Sequence, residues 1–278
     1  MHFKNFRTFV LWAYLDEIVY SLQIITNAFR IASMSNINIS VDCVVFGFDS
    51  DLDLKVLLIT RNESSNSFDT GKDHVSLPGD LIKYDEELDP SAQRILKSLT
   101  SIDKIFLKQF AIFSDPDRVK YLKDQTWLET YRVDPNERVI TIGYISLVNI
   151  QDFEPDATFF DDHVEGEGTR GGFYEKCWTR VNEIPQLAFD HNQIVDTALE
   201  FLKKELNHQM SSILLPKNFT LPQFQKLHEE ILDKKFDKRN FRKQILKEGV
   251  IVKTKNTTNT GKKGKPATFY QFQEEPNL

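Results

Sequence analysis

The sequence predicts an α+β protein in two parts: a strand-rich body interleaved with helices, then a small basic unit of two helices and a hairpin. Three observations predict it. β-branched and aromatic runs recur through the body with amphipathic helical stretches between them. Charge is divided unevenly: residues 212–278 hold 14 Lys+Arg against 7 Asp+Glu, a net of +7, and the remainder holds 21 against 34, a net of −13. Helix caps punctuate the basic part at Thr220, Asp237 and Gly249.

The chain has 278 residues, 40% apolar and 27% charged, which is enough material for two domains with cores of their own. Cys43 and Cys177 stand far apart with no CxxC or Cys/His spacing. Two buried thiols in a reducing cytoplasm are expected, with no metal and no cofactor. The overall net charge of −6 averages an acidic body and a basic tail. Only the tail is suited to a polyanion.

Residues 1–36 form an N-terminal extension. It is apolar and aromatic, but Asp16, Glu17 and Arg30 break it before it reaches the ~20 residues of a membrane span. A start codon assigned too far upstream, with Met34 as the start, is the preferred explanation. An extra amphipathic helix is the alternative. The runs 41–48 and 55–61 read as strands joined by a hairpin through Asp49–Asp53. A polar loop over 62–74 leads to a turn at Leu77-Pro78-Gly79. Residues 90–99 read as a helix with Asp89 as N-cap and Pro90 in its first position. Strands resume at 105–113, 139–148 and 173–181, with polar inserts at 115–136 and 154–172. An amphipathic helix over 192–206 ends the body, capped by Asp190 or Asn192.

The tail begins after Leu215-Pro216. Thr220 and Gln223 fit a capping box for a helix to about Leu232. Asp237 caps a second helix over 238–247, and Gly249 ends it. Strands at 250–255 and 267–272 flank a loop that carries Lys262, Lys263 and Lys265. This is the element order of a winged helix-turn-helix. Phe241 and Ile245 face its core. Lys238, Arg239, Arg242 and Lys243 remain for phosphate, Asn240 is suited to a base edge, and the wing lysines add phosphate contacts.

Residues 80–102 lie without a gap on the Nudix box, G-x5-E-x7-R-E-U-x-E-E-x-G-U. Asp80 takes the Gly position, Glu86 is the first Glu and Arg94 the Arg. The three helical carboxylate positions hold Ile95, Ser98 and Leu99, and the closing Gly is Ser101. Mg²⁺ needs hard oxygen ligands, and carboxylates three and four residues apart on a helix share one face. That face has lost them here, so no hydrolase activity is expected. Glu86 and Arg94 read as a structural pair that holds the loop down.

With the box in place, the chain resembles Nudix-related transcriptional regulators, the NrtR-like group. The resemblance is carried by VDCVVFGF (41–48), NERVI (136–140), IPQLAFDH (184–191), LLP (214–216), FTL (219–221), DKRNFRK (237–243), GKPA (264–267) and Phe269-Tyr270. It spans about residue 37 to 272. It implies a Nudix-like α/β/α sandwich over 37–206 that senses a small molecule, and a winged helix over 207–278. The latter would bind a pseudo-palindromic double-stranded operator as part of a homodimer. Some members look to ADP-ribose. Others, with a degraded box, are similar to L-arabinose sensors that control pentose-use genes, and the lost carboxylates place this chain nearer to them. The two inserts look longer than the family pattern. Arg61, Glu137, Arg138, Tyr144 and His191 are the candidate ligand contacts, and Trp178 reads as core. The competing functions are an active Nudix hydrolase, which Glu86→Gln would disable, and an RNA-associated protein, which would need an aromatic stacking platform this tail lacks.

Overall fold

The computed structural model describes residues 37–62, 74–100, 102, 105–118, 137–152, 158–160, 173–257 and 267–273. The N-terminal extension, most of both polar inserts and the three wing lysines lie outside these. Eight strands form one sheet: β1 (Ile37–Phe48), β2 (Leu54–Asn62), β3 (His74–Ser76), β4 (Gly79–Leu81), β5 (Leu107–Phe113), β6 (Arg138–Asn149), β7 (Thr158–Phe160) and β8 (Phe173–Arg180). Their order is β5-β6-β1-β2-β8-β7, with β3 paired to β2 and β4 to β1. The β1–β2 hairpin is antiparallel, with Phe46 opposite Val56. Asp49 closes its turn: the carboxylate accepts the Asp53 N–H at 2.9 Å and pairs with Lys55 at 2.6 Å.

Alternation along the strands makes two apolar faces. On β1, Val41, Cys43 and Val45 point to one face, and Val44, Phe46 and Phe48 to the other. The first face packs against α1 (Leu88–Thr100) through Ala92, Ile95, Leu96 and Leu99. The second packs against α2 (His191–Glu205) through Ile194, Val195, Ala198 and Leu202. The sheet is thus the middle layer of an α/β/α sandwich. Trp178 packs on the α1 side.

The second apolar cluster continues beyond α2. It takes in Met210 and Leu214 of α3 (His208–Leu214), then Phe224, Leu227 and Ile231 of α4 (Leu221–Leu232) and Phe241 and Ile245 of α5 (Lys238–Glu248). A three-stranded sheet of β9 (Phe219–Thr220), β10 (Ile251–Thr257) and β11 (Thr268–Phe272), in the order β10-β11-β9, completes the C-terminal unit. The described residues from Ile39 onward belong to a single compact unit.

The structure adds elements that periodicity does not announce. β3 and β4 are three-residue strands on either side of the expected turn, and β7 lies inside an expected polar insert. The short α3 is capped by Asn207, whose side chain accepts the Met210 N–H at 2.9 Å. Cys43 is buried, and burial raises its thiol pKa far above the ordinary range. Cys177 is exposed, contrary to the expectation of two buried thiols; β7 pairs with β8 over Phe173–Glu175, short of Cys177.

The end of α5 sets a stability prediction. Gly249 sits at φ 71°, the left-handed region, with open space around its Cα. Gly249→Ala therefore meets no clash but takes on the backbone penalty. A loss of about 1 kcal/mol is expected from urea unfolding.

Candidate functional site

Among the described residues the most basic helix is α5, and its two ends are fixed by local chemistry. The Asp237 side chain accepts the Arg239 N–H at 3.2 Å and the Asn240 N–H at 3.0 Å, satisfying two of the open donors of the first turn. Phe241 and Ile245, four residues apart, anchor the helix to the core. Phe241 sits 5.7 Å from the rings of Phe224, His228 and Phe236. With that seam buried, Lys238, Arg239, Asn240, Arg242 and Lys243 are all exposed. The structure therefore brings together, on one accessible surface, the five helical residues that the sequence assigns to DNA.

The angle at which α4 presents α5 is set by a clasp at their turn. Glu229 accepts from the Gln225 amide at 2.8 Å and from the Phe236 N–H at 3.0 Å, while Gln225 also donates to the Phe236 carbonyl at 2.9 Å. Asp233 turns the chain at φ 47°. The Gln225 amide, joined by the Phe236 N–H and Lys235, holds the Glu229 carboxyl down at about 2. At its N-terminus α4 carries the complete capping box of Thr220 and Gln223. Behind the clasp, His228 packs edge-on against Phe224 at 4.9 Å, with Ser211 Oγ 3.2 Å from its Nε2. Burial, then the neighbouring His208, lowers the His228 pKa to about 4, so the ring is neutral at physiological pH.

At the Nudix-like box, Arg94 grips Glu86 with two parallel bonds, Nε to Oε1 at 2.6 Å and Nη2 to Oε2 at 2.7 Å. The same guanidinium reaches the Leu81 carbonyl at 3.4 Å, and Glu86 accepts the Lys83 N–H at 3.4 Å. The pair thus fastens the loop between β4 and α1. The Arg94 hydrogen bond holds the Glu86 carboxyl at about 2. At the three carboxylate positions, Ile95 and Leu99 are core residues and Ser98 donates back to the Ile95 carbonyl at 3.0 Å. Neither hydrocarbon can ligate a cation. Among the described residues no group of three His, Cys, Asp or Glu side chains is placed to hold a metal ion.

Among the candidate ligand contacts, the described side chains have separate hydrogen-bond partners. Tyr144 is buried on the α1 side, and its hydroxyl donates to Asp89 at 2.5 Å; burial raises its pKa above the ordinary range. Asp89 accordingly serves Tyr144 from within the first turn of α1. Glu137 is half-buried, and Arg138 is exposed and donates to the Ser114 carbonyl at 3.1 Å. Arg61 stands on β2 opposite Tyr174, with its side chain outside the description. His191 is buried, its Nδ1 accepting the Leu77 N–H at 3.0 Å. That bond leaves the proton on Nε2, which lies 3.6 Å from Asp42 Oδ2.

His191 belongs to a buried polar network that sequence reasoning missed. At its centre is Arg118, whose side chain is 3% exposed. It donates to both Asp190 oxygens at 2.8 and 2.7 Å and to the Thr141 hydroxyl, and lies 3.9 Å from Asp42. Thr141 and Ser40 share a further bond of 2.5 Å. Gly79 makes room for it, since a Cβ there would fall 1.9 Å from Asp42 Oδ1. Asp190 was expected to cap α2; it stands at the N-cap position with no side-chain cap bond. Asn192 instead fastens the preceding segment, accepting the Leu187 N–H at 2.8 Å and donating to the Pro185 carbonyl at 2.9 Å.

Residues 212–272, from within α3 to the end of β11, match the NrtR DNA-binding winged helix domain. The fold is a Nudix-like sandwich followed by a winged helix. A curated relative, the ADPR responsive transcriptional repressor NtrR of Acinetobacter baylyi, is 26% identical over 84% of this chain and 81% of its own length. NrtR of Shewanella oneidensis, solved with a 27mer DNA, has a TM-score of 0.59 at 24% identity, covering 84% of this chain and 93% of its own. A MutT/nudix family protein from Enterococcus faecalis has a TM-score of 0.52 at 20% identity, covering 86% and 87%. The structural likenesses establish the fold.

Two predictions follow from the charges of the site. Arg118→Met leaves Asp42 and Asp190 buried without their cation, and a loss of about 3–5 kcal/mol is expected in urea unfolding. The second concerns pH. The folded His228 titrates near 4 rather than 6.5, so the unfolded chain takes up a proton that the folded chain refuses. Its contribution is fully present above pH 6.5 and is lost as pH falls toward 4. His228→Phe should therefore flatten the stability profile over that window, and an undiminished slope in the variant would contradict the assignment.

Proposed function

We propose that this protein is a transcriptional regulator whose Nudix-type sandwich senses a small molecule and whose winged helix binds a double-stranded operator. The carrying observation is the exposed face of α5: four cations and Asn240 on a helix fixed by Asp237, Phe241 and Ile245. Side chains of this kind suit phosphates and the edges of guanine and adenine in a major groove. The match of residues 212–272 to a DNA-binding domain supports the reading.

The sandwich acts as a sensor and not as an enzyme. Ile95 and Leu99 support this, because both carboxylate positions have become hydrophobic core. The effector is a pentose, either free, as L-arabinose or D-xylose, or as the ribose of ADP-ribose. The Acinetobacter relative, a repressor named for its response to ADPR, supports the nucleotide form. The family resemblance of the degraded box supports the free sugar and control of pentose-use genes. The regulator works as a homodimer on a pseudo-palindromic site in the cytoplasm, where the operator lies. Among the described residues no helix is long and apolar enough to cross a membrane.

The test is a gel shift of the full chain on DNA flanking its own gene, with L-arabinose, D-xylose and ADP-ribose added separately. A specific shift that one of them changes is expected, along with no Mg²⁺-dependent turnover of ADP-ribose. If each protomer neutralises ~4 phosphates, log K falls against log salt with a slope of about −7. Asn240→Ala should relax base preference at one position and weaken binding by about 1–3 kcal/mol. The absence of a shift at low salt, or turnover that Glu86→Gln abolishes, would overturn the reading.

A further inference from the structure

Resting on the DNA-binding reading above, we propose that Leu246 is a specificity-determining residue that recognises the 5-methyl group of a thymine in the operator. The observation is an apolar side chain in the wrong company. Leu246 is 43% exposed, whereas Phe241 and Ile245 of the same helix are buried. At about 3.6 residues per turn, its surface neighbours are the residues three, four and seven positions earlier. Those are Lys243, Arg242 and Arg239, all exposed, and exposed Lys247 follows it directly.

A single exposed leucine is ordinary on a protein surface, but this one lies among the cations that meet the polyanion. Once those cations engage a duplex, Leu246 is carried toward the groove with them. Base edges in the major groove offer hydrogen-bonding groups and one apolar group, the thymine methyl. A leucine can satisfy only the last. Arg, Lys and Asn neighbours supply attraction and hydrogen bonds, while Leu246 supplies discrimination by contact with a methyl that cytosine and the purines do not present. Its place in the last turn of α5, six residues beyond Asn240, assigns it a different base pair from the one Asn240 reads.

The test uses duplexes selected from a random pool by the full-length chain. Each thymine of the selected sequence is replaced in turn by uracil, which lacks only the methyl group. Binding is measured by fluorescence anisotropy for the wild type and for Leu246→Ala. At one thymine per half-site, uracil should weaken the wild type about fourfold, the worth of one buried methyl. The same replacement should leave Leu246→Ala within about 1.5-fold. Leu246→Met, which keeps an apolar tip, should retain part of the sensitivity. Because the side chain is exposed, the alanine variant should keep the wild-type circular dichroism and melting curve. Comparison between variants separates a direct contact from any change in duplex shape, which would affect both proteins alike.

Uracil tolerated at every position by the wild type would overturn the proposal and leave the regulator reading intact. Equal uracil effects in both proteins would do the same, as would a Leu246→Ala defect confined to self-association. Failure to recover any duplex from the pool would overturn the regulator reading and the proposal with it.

Discussion

The apolar face made by Val44, Phe46 and Phe48 on β1 and by Leu54, Val56 and Leu58 on β2 has to be covered, and two different parts of the chain cover it. Helix α2 supplies Ile194, Val195, Ala198 and Leu202. Beyond it, Met210 and Leu214 of α3 lead without a break into Phe224, Leu227 and Ile231 of the winged helix. Burial of this order is worth about 1.5–3 kcal/mol per large side chain, so separating reader from sandwich would expose hydrocarbon on both. The two are therefore joined by a common core as well as by a linker. The apolar packing from the sheet to α5 is continuous.

The box between β4 and α1 shows the other side of this economy. A helix that offers carboxylates to a cation must keep that face polar and hydrated. Here Ile95 and Leu99 occupy the face and pack with Val41, Val45 and Tyr144. Beside them Glu86 and Arg94, joined at 2.6 Å, hold the loop onto the start of the helix. The same preference for rigid support recurs at the turn of the winged helix, where Glu229 and Gln225 fix α4 against the approach to α5. Asp237 and Gly249 then set where the reading helix begins and ends.

Much of this was legible in the sequence, for identifiable reasons. The capping box at Thr220, the N-cap at Asp237 and the C-terminal Gly249 are local signals, and the helices they bound form where expected. Phe241 and Ile245 at four-residue spacing named the buried seam of α5, and so its exposed face. The pairing of Glu86 with Arg94 was readable because both belong to one short motif. The Arg118 network was not. Arg118 lies in a polar stretch with no periodicity, and its partner Asp190 stands 72 positions away. Asp190 itself carried a misleading local signal, since an aspartate before a helix reads as a cap. Tyr144 looked available on its strand because alternation does not say which face a helix will cover. The strands β3 and β4 were too short to show a pattern, and in the seven residues of α3 the buried apolar side chains are only Met210 and Leu214, too few to show a period.

The most direct test of the shared core is native-state hydrogen exchange across a series of low urea concentrations. If sandwich and reader are one cooperative body, amides of Phe224–Ile231 and of Val44–Phe46 should converge on a single unfolding free energy as urea rises. A winged helix that opens at a distinctly lower free energy, with the sheet still protected, would contradict the account.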